Sequence, residues 1–293
     1  MPIIKGWLIY CTFNSMKKLY MKSIAIAVLM FVTTAVSAQR ERVKGSRNVK
    51  DVSEVLRPFT DIKVTDGLEV TLIADSQPSY DLEMDDNLIE LISFDVRDSV
   101  LLVSARKDIR SAKRLNITVR FVTLNSVSLD AKSKVKAQSV LKSEFFRGSF
   151  LDDSQFEGEV KATQATITAN SNSKIEMDYM GDDLTMNVTD NAFAKADINT
   201  KKFTLSASER SDLELIGNAQ TVTLDLKDNA ECKAQTFNAD VINVVGAGNS
   251  TTIVTADQEI VVDLADKAQL HVYGEPKLTI ERFTGTSKIL KKE

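Results

Sequence analysis

The chain is poor in the residues on which much active-site chemistry and cross-linking depend. Its 293 residues include two cysteines, one histidine, four prolines and one tryptophan, and aromatic residues make up only 6%. With His271 as its single histidine, the chain has no multi-histidine metal site, and a histidine-based triad is disfavoured. His271 alternates with Leu270 and Val272, which predicts a solvated position on the outward face of a strand. If processing removes Cys11, Cys232 is left alone and no intramolecular disulfide can form. Cys232 occupies a position filled by leucine in neighbouring repeats, so it reads as a small buried hydrophobe rather than a reactive thiol. Gly-x-Gly-x-x-Gly and Walker-type phosphate loops are missing as well. No cofactor is implied.

Excess positive charge is also lacking. The formal net charge is −4, and the residues after Ala38 carry 33 basic against 41 acidic side chains. An acidic surface argues against nucleic acid or an anionic membrane as partner. The first 38 residues differ, with Lys5, Lys17, Lys18 and Lys22 and no acid. Residues 16–38 read as a secretory signal, with a basic start, the apolar stretch Ile24 to Val32 and the small residues Val36-Ser37-Ala38 before a cleavage point. That stretch is shorter than the ~20 residues that span a bilayer, so stable membrane insertion is not expected. A short membrane anchor is the alternative reading. The expectation is an exported protein: periplasmic, outer-membrane associated or extracellular.

What the chain does have is a repeat. A small or hydroxyl-bearing residue recurs at Ser154, Ser173, Ala192, Ser211, Ala230, Asn249, Ala268 and Thr286, at intervals of 19 residues until a final one of 18. Eight positions earlier stand Phe146, Ala165, Leu184, Phe203, Val222, Val241, Ile260 and Leu278. Within a repeat the pattern has period 2, as in Leu184-Thr185-Met186-Asn187-Val188, the mark of a half-buried strand. Turn-forming clusters such as Asp190-Asn191 and Asp228-Asn229 separate the runs, so each unit reads as strand, turn, strand, turn. A unit of this length cannot bury its own apolar face and must stack on its neighbours. The fold expected is all-β: a right-handed parallel β-solenoid with coils of about 19 residues, each laid on the last at ~4.8 Å. Leu184, Phe203, Val222, Val241 and Ile260 are expected to form one interior column. Residues 59–122 alternate without the marker and read as an N-terminal β cap, since an open coil exposes unpaired edges. The organisation expected is 1–38 signal and upstream extension, 39–58 linker, 59–122 cap and 123–290 coils, with 59–290 one continuous domain.

The run Pro58-Phe59-Thr60-Asp61-Ile62-Lys63-Val64, then Gly67-Leu68-Glu69-Val70-Thr71-Leu72, Asp85-Asp86-Asn87-Leu88-Ile89 and Leu101-Leu102-Val103-Ser104, resembles the head GIN domain family over residues 45–275. That family is described as autotransporter adhesins and is common in secreted proteins of Bacteroidetes. The resemblance implies a β-helix, a secreted, surface or periplasmic location, and no catalytic residues. Turns such as Asp152-Asp153-Ser154 and Asp190-Asn191-Ala192 replace the glycine-rich turns of many members.

Two features bear on chemistry. Two residues before each marker stand Asp152, Ser171, Asp190, Glu209, Asp228, Ala247 and Asp266, of which Asp190, Glu209 and Asp228 are consecutive acids. Stacked carboxylates read as a solvated edge that blocks sideways pairing, with calcium binding as the alternative. Carboxylate pairs could hydrolyse glycosides, yet adjacent acids such as Asp152 and Asp153 would point to opposite faces of a strand, unless a turn brings them together. Outward threonine, serine and asparagine recur at Thr166, Thr168, Thr185, Asn187, Thr204, Ser206, Thr221 and Thr223. The function expected is a non-enzymatic surface binding module, with a glycan or a cell-surface or matrix protein as partner. A carbohydrate-active enzyme and an envelope structural element are the alternatives.

Overall fold

A computed structural model describes residues 41–292, which form an almost wholly β structure, a parallel β-solenoid of about nine turns. The signal and extension expected over 1–38 lie outside the described residues. Ahead of the regular coils stand β1 (Arg42–Lys44), β2 (Val49–Val55), β3 (Asp61–Val64), β4 (Glu69–Ala74) and β5 (Ser79–Asp85). A short 3-10 helix (Asp86–Leu91) leads to β6 (Ile92–Arg97), β7 (Val100–Ala105), β8 (Asp108–Ser111) and β9 (Leu115–Phe121). The coils proper run through β10 (Ser126–Leu129), β11 (Lys134–Ala137), β12 (Leu141–Phe150), β13 (Gln155–Ala169), β14 (Lys174–Val188) and β15 (Phe193–Ala207). They continue with β16 (Asp212–Leu226), β17 (Glu231–Gly246), β18 (Thr251–Leu264), β19 (Gln269–Tyr273), β20 (Lys277–Phe283) and β21 (Lys288–Lys291).

Each full coil is one long strand and one tight turn, not two strands and two turns. From β13 to β16 a single 15-residue strand crosses both walls of the solenoid, and the second expected turn is only a bend. In β14 the inward residues Ile175, Met177 and Tyr179 and then Leu184, Met186 and Val188 flank that bend at Gly181 to Asp183. Buried hydroxyls satisfy backbone there. The Tyr179 phenol lies 2.9 Å from the Ala162 carbonyl and 2.8 Å from that of Asp183, and the Thr200 hydroxyl donates to the Asp182 carbonyl at 2.8 Å. With these carbonyls partnered, the ladder passes through the bend with little interruption.

Stacking in register turns the alternation into columns. Phe146, Ala165, Leu184, Phe203 and Val222 stand over one another, but the next member is Ile242, followed by Ile260. Val241 is partly exposed and pairs with Thr221 and Glu259. The column expected through Val241 is therefore shifted by one residue. The cause is a bulge in β17, which takes one more residue than β16 between Glu214 and Ile216. The bulge also turns Phe237 inward, edge-on to Phe203 with centroids 5.9 Å apart. It sits over Gly217, where φ is 111° and a Cβ would come within 2.2 Å of the Ile198 carbonyl oxygen. The same shift moves the corner marker from Asn249, which is exposed, to Ser250, which is buried. The next coil is one residue shorter and restores Ala268, and a separate bulge in β20, between the partners of Val262 and Asp263, moves the last marker from Thr286 to Ser287.

At the marker corners from Ser154 to Ala268 the residue N–H donates to the carbonyl three residues earlier, as in Ser173 to Asn170 at 3.1 Å. The corners come in two kinds. Through Asp190-Asn191 both central residues have positive φ, the pattern of a type I′ turn, as for Asp152 (53°) and Asp153 (58°). From Glu209 onward only the first does, the pattern of type II′, filled by Glu209, Asp228, Gly248, Asp266 and Gly285. The two types differ by a flip of the central peptide, and the hydrogen bonds between corners reverse accordingly. Asn172 N–H donates forward to the Asp190 carbonyl at 3.0 Å, whereas Asn229 N–H donates back to that of Glu209 at 2.8 Å.

The front of the chain departs from the expected boundaries. β3 and β4 already make a coil, since they lie parallel on β10 and β11 across the Asp66-Gly67 corner. β7 and β9 lie parallel on their other side, and β6 and β5 close the stack by antiparallel pairing. Residues 39–58, read as a linker, carry two strands: β1 pairs with β8, and β2 pairs antiparallel with β5 along its whole length. An exposed strand edge recruits such a partner even when its sequence is mostly polar. The device that fastens this end is Asp85, fully buried, whose carboxylate accepts the backbone N–H groups of Arg47 (3.0 Å), Lys113 (3.1 Å) and Arg114 (3.3 Å). Burial alone would raise its pKa. Those backbone donors and the Lys113 charge outweigh burial and hold it below the ordinary aspartate value.

Candidate functional site: a groove at the step between cap and coils

The outer walls are flat wherever long strands stack on long strands. They are interrupted where β12 begins. Leu141–Phe145 pair with Val160–Gln164 of β13, but among the described residues no strand covers their other edge, because β10 reaches only Arg147–Phe150. The wall steps inward and leaves a groove of about 560 Å³.

Phe145 stands in this groove, 58% exposed, while its neighbour Phe146 is 2% exposed at the head of the interior column. Two adjacent phenylalanines on a strand must face opposite ways, so burial of one forces the other into solvent. Around Phe145 are Asn125, Ser143, Glu144, Arg147, Gln164 and Thr166. The Ser143 hydroxyl lies 2.9 Å from both Asn125 Oδ1 and the Phe145 carbonyl, and its one proton serves either acceptor. Asp61, also at the groove, is occupied by the hydroxyls of Ser126 (2.5 Å) and Thr60 (2.7 Å). An exposed ring among amides, hydroxyls and one guanidinium can bind a partly apolar, partly hydroxylated ligand. Sequence reasoning passed over Phe145, although the pair Phe145-Phe146 within an alternating run carried the signal.

The acidic corner is held by local contacts. Asp228 Oδ2 accepts the Glu209 N–H at 3.3 Å, Asp266 Oδ2 accepts the Gly248 N–H at 3.1 Å, and the Ser171 hydroxyl lies 3.1 Å from Asp190 Oδ2. Gly248, not Ala247, is the member of this row in the Ser250 corner. Asp190, Glu209 and Asp228 occupy successive corners, and among the described residues no group of three or more His, Cys, Asp or Glu side chains is placed to hold a metal ion. Asp152 and Asp153 lie exposed on a corner rather than in a cleft. His271 is not solvated as expected. It is half-buried on the outer wall between Ile253 and Leu290, its Nε2 without a partner, and burial together with the Lys292 charge lowers its pKa. Cys232 is fully buried, and burial pushes its thiol up to about 12, which disfavours the thiolate.

On the wall formed by the second half of each coil, Thr166, Thr185, Thr204 and Thr223 pair in register, as do Thr168, Asn187 and Ser206. These columns adjoin the groove through Thr166.

The model of the family described as "Putative auto-transporter adhesin, head GIN domain" matches residues 58–178 and 174–276. The chain belongs to this family. Among solved structures, a protein from Parabacteroides merdae described as a putative adhesin is 16% identical, with a TM-score of 0.64, covering 86% of this chain and 100% of its own. A protein from Parabacteroides distasonis described as a putative lipid binding protein is 15% identical, with a TM-score of 0.63 and the same coverage. At such identity these likenesses speak for the fold alone. No curated protein matches the chain.

Proposed function

We propose that this chain is an exported adhesin-type module that holds a cell-surface glycan or matrix protein on its side wall and has no catalytic turnover. The observation that carries this reading is the pair of polar columns, Thr166 to Thr223 and Thr168 to Ser206, held in register by the ladder beneath them. Side chains fixed this way lose little entropy on binding, which suits a flat, rigid recognition surface. Membership of a family described as adhesins supports the same reading and the exported location. Beads coated with the purified protein should be retained on mucin- or collagen-coated surfaces and released by soluble protein. Retention no greater than that of albumin-coated beads on both surfaces would contradict it. The enzymatic alternative predicts release of reducing or unsaturated sugars from polysaccharides, whereas no release is expected here.

One observation favours association end to end as a second reading. On the last described coil Leu278, Ile280 and Phe283 continue the interior columns yet are 42%, 51% and 48% exposed. Sedimentation of the full chain should show mass rising with concentration if that face is used.

A further inference from the structure

We infer that the groove beside Phe145 is a carbohydrate subsite, which takes one pyranose ring of a surface glycan face-on to the phenyl ring. This rests on the adhesin reading and goes further by naming the place and the ligand chemistry. A sugar ring has an apolar C–H face and an equatorial belt of hydroxyls that both donate and accept. Phe145, 58% exposed at the step, offers the complementary flat surface.

The belt requires polar groups around the ring that are not already consumed by the protein. Gln164, Arg147 and Thr166 line the groove, and their side chains have no hydrogen bond or ion pair among the described residues. Asn125 also lines the groove, and no hydrogen bond occupies its amide nitrogen among the described residues. The uncovered edge of Leu141–Phe145 adds backbone N–H and C=O groups at the same step. Donors and acceptors of both kinds, with one cation in Arg147 and two anions in Glu144 and Asp61, suit hydroxyls better than a phosphate or a lipid tail.

The edge could also take an added β-strand from a peptide. It is only five residues long and carries Lys142 and Glu144, charges that discourage strand addition. A phenyl ring standing out from it gives a sugar a platform and gives an extended backbone little. The geometry favours the sugar.

The test pairs the full chain with Phe145→Ala, Phe145→Tyr and Lys195→Ala on an array of neutral and acidic oligosaccharides, with an extended-peptide library and the bead-retention assay beside it. Circular dichroism confirms that each variant folds, as an exposed side chain permits. The expected result is oligosaccharide binding that falls at least about tenfold in Phe145→Ala, survives in Phe145→Tyr and is unchanged in Lys195→Ala, an exposed change in the first half of its coil, away from groove and polar columns. Oligosaccharide binding indifferent to Phe145→Ala overturns the subsite, as does binding of peptides alone or of no oligosaccharide. If beads are still retained in those cases, the adhesin reading stands and only the subsite fails. If wild-type beads are not retained at all, the adhesin reading fails with it.

Discussion

From β13 to β18 nearly every buried side chain stands on its counterpart one turn earlier, and polar groups enter the interior mainly as corner serines and bend hydroxyls. In residues 42–121 strands run both ways, and a charged group, Asp85, sits at the centre of the join. Repetition is sufficient to stack coils, because each edge is finished by the next. Ending the stack needs something that the repeat cannot supply: antiparallel strands, a helical turn that buries Leu88, and a carboxylate that gathers stray N–H groups. The groove lies at the boundary between these two ways of building, where long strands begin before the preceding coil has the length to cover them.

That difference can be broken from either side. The largest effect is expected from Phe203→Ala, fully buried mid-column against Phe237, at about 3–5 kcal/mol in denaturant unfolding. Such a loss should be global, since the columns are continuous. Asp85→Asn should act locally: backbone amides of residues 45–55 and 79–85 lose protection from hydrogen exchange, while those of residues 155–264 keep it. Acid should do the same to the wild type. The carboxyl of Asp85 is depressed in the folded chain, so its contribution is present above the ordinary aspartate value and lost as pH falls through the lower, folded one. Cap exchange should therefore accelerate below the usual carboxylate range, ahead of coil exchange. The smallest effect, of opposite sign, belongs to the corners. The hydroxyls of Ser154, Ser173, Ser211 and Ser250 are buried without partners, where Ala192, Ala230 and Ala268 hold equivalent places. Ser211→Ala should stabilise by about 1 kcal/mol, read as a raised denaturation midpoint.

The coil length, the direction of side chains and the small corner residue were all legible in the sequence, because each depends on local alternation and on what fits a tight corner. Counting at a fixed interval failed where β17 takes an extra residue, since one insertion moves Ile242 inward and Val241 outward while leaving both neighbourhoods apolar in composition. The switch of corner type was only half legible. Asn172 and Asn191 accept positive φ and sit in type I′ corners, but Asn229 sits in a type II′ corner, so tertiary pairing and not residue type decides the flip. The cap was legible as a physical need but not as a structure, and β2 was hidden because an edge strand facing solvent has little apolar alternation. Phe145 was within reach of the alternation rule. The groove around it was not, because it depends on where β10 stops.

The register of β17 tests the central claim, that each coil lies on the last in the pairing described, most directly. Val241→Lys and Ile242→Lys place the same charge on neighbouring positions of one strand. With Val241 on the outer wall beside Glu259 and Ile242 in the interior column, urea unfolding should show Val241→Lys within about 0.5 kcal/mol of wild type. Ile242→Lys should lose several-fold more or fail to fold. Equal losses, or the reverse order, would contradict the stacking described for this chain.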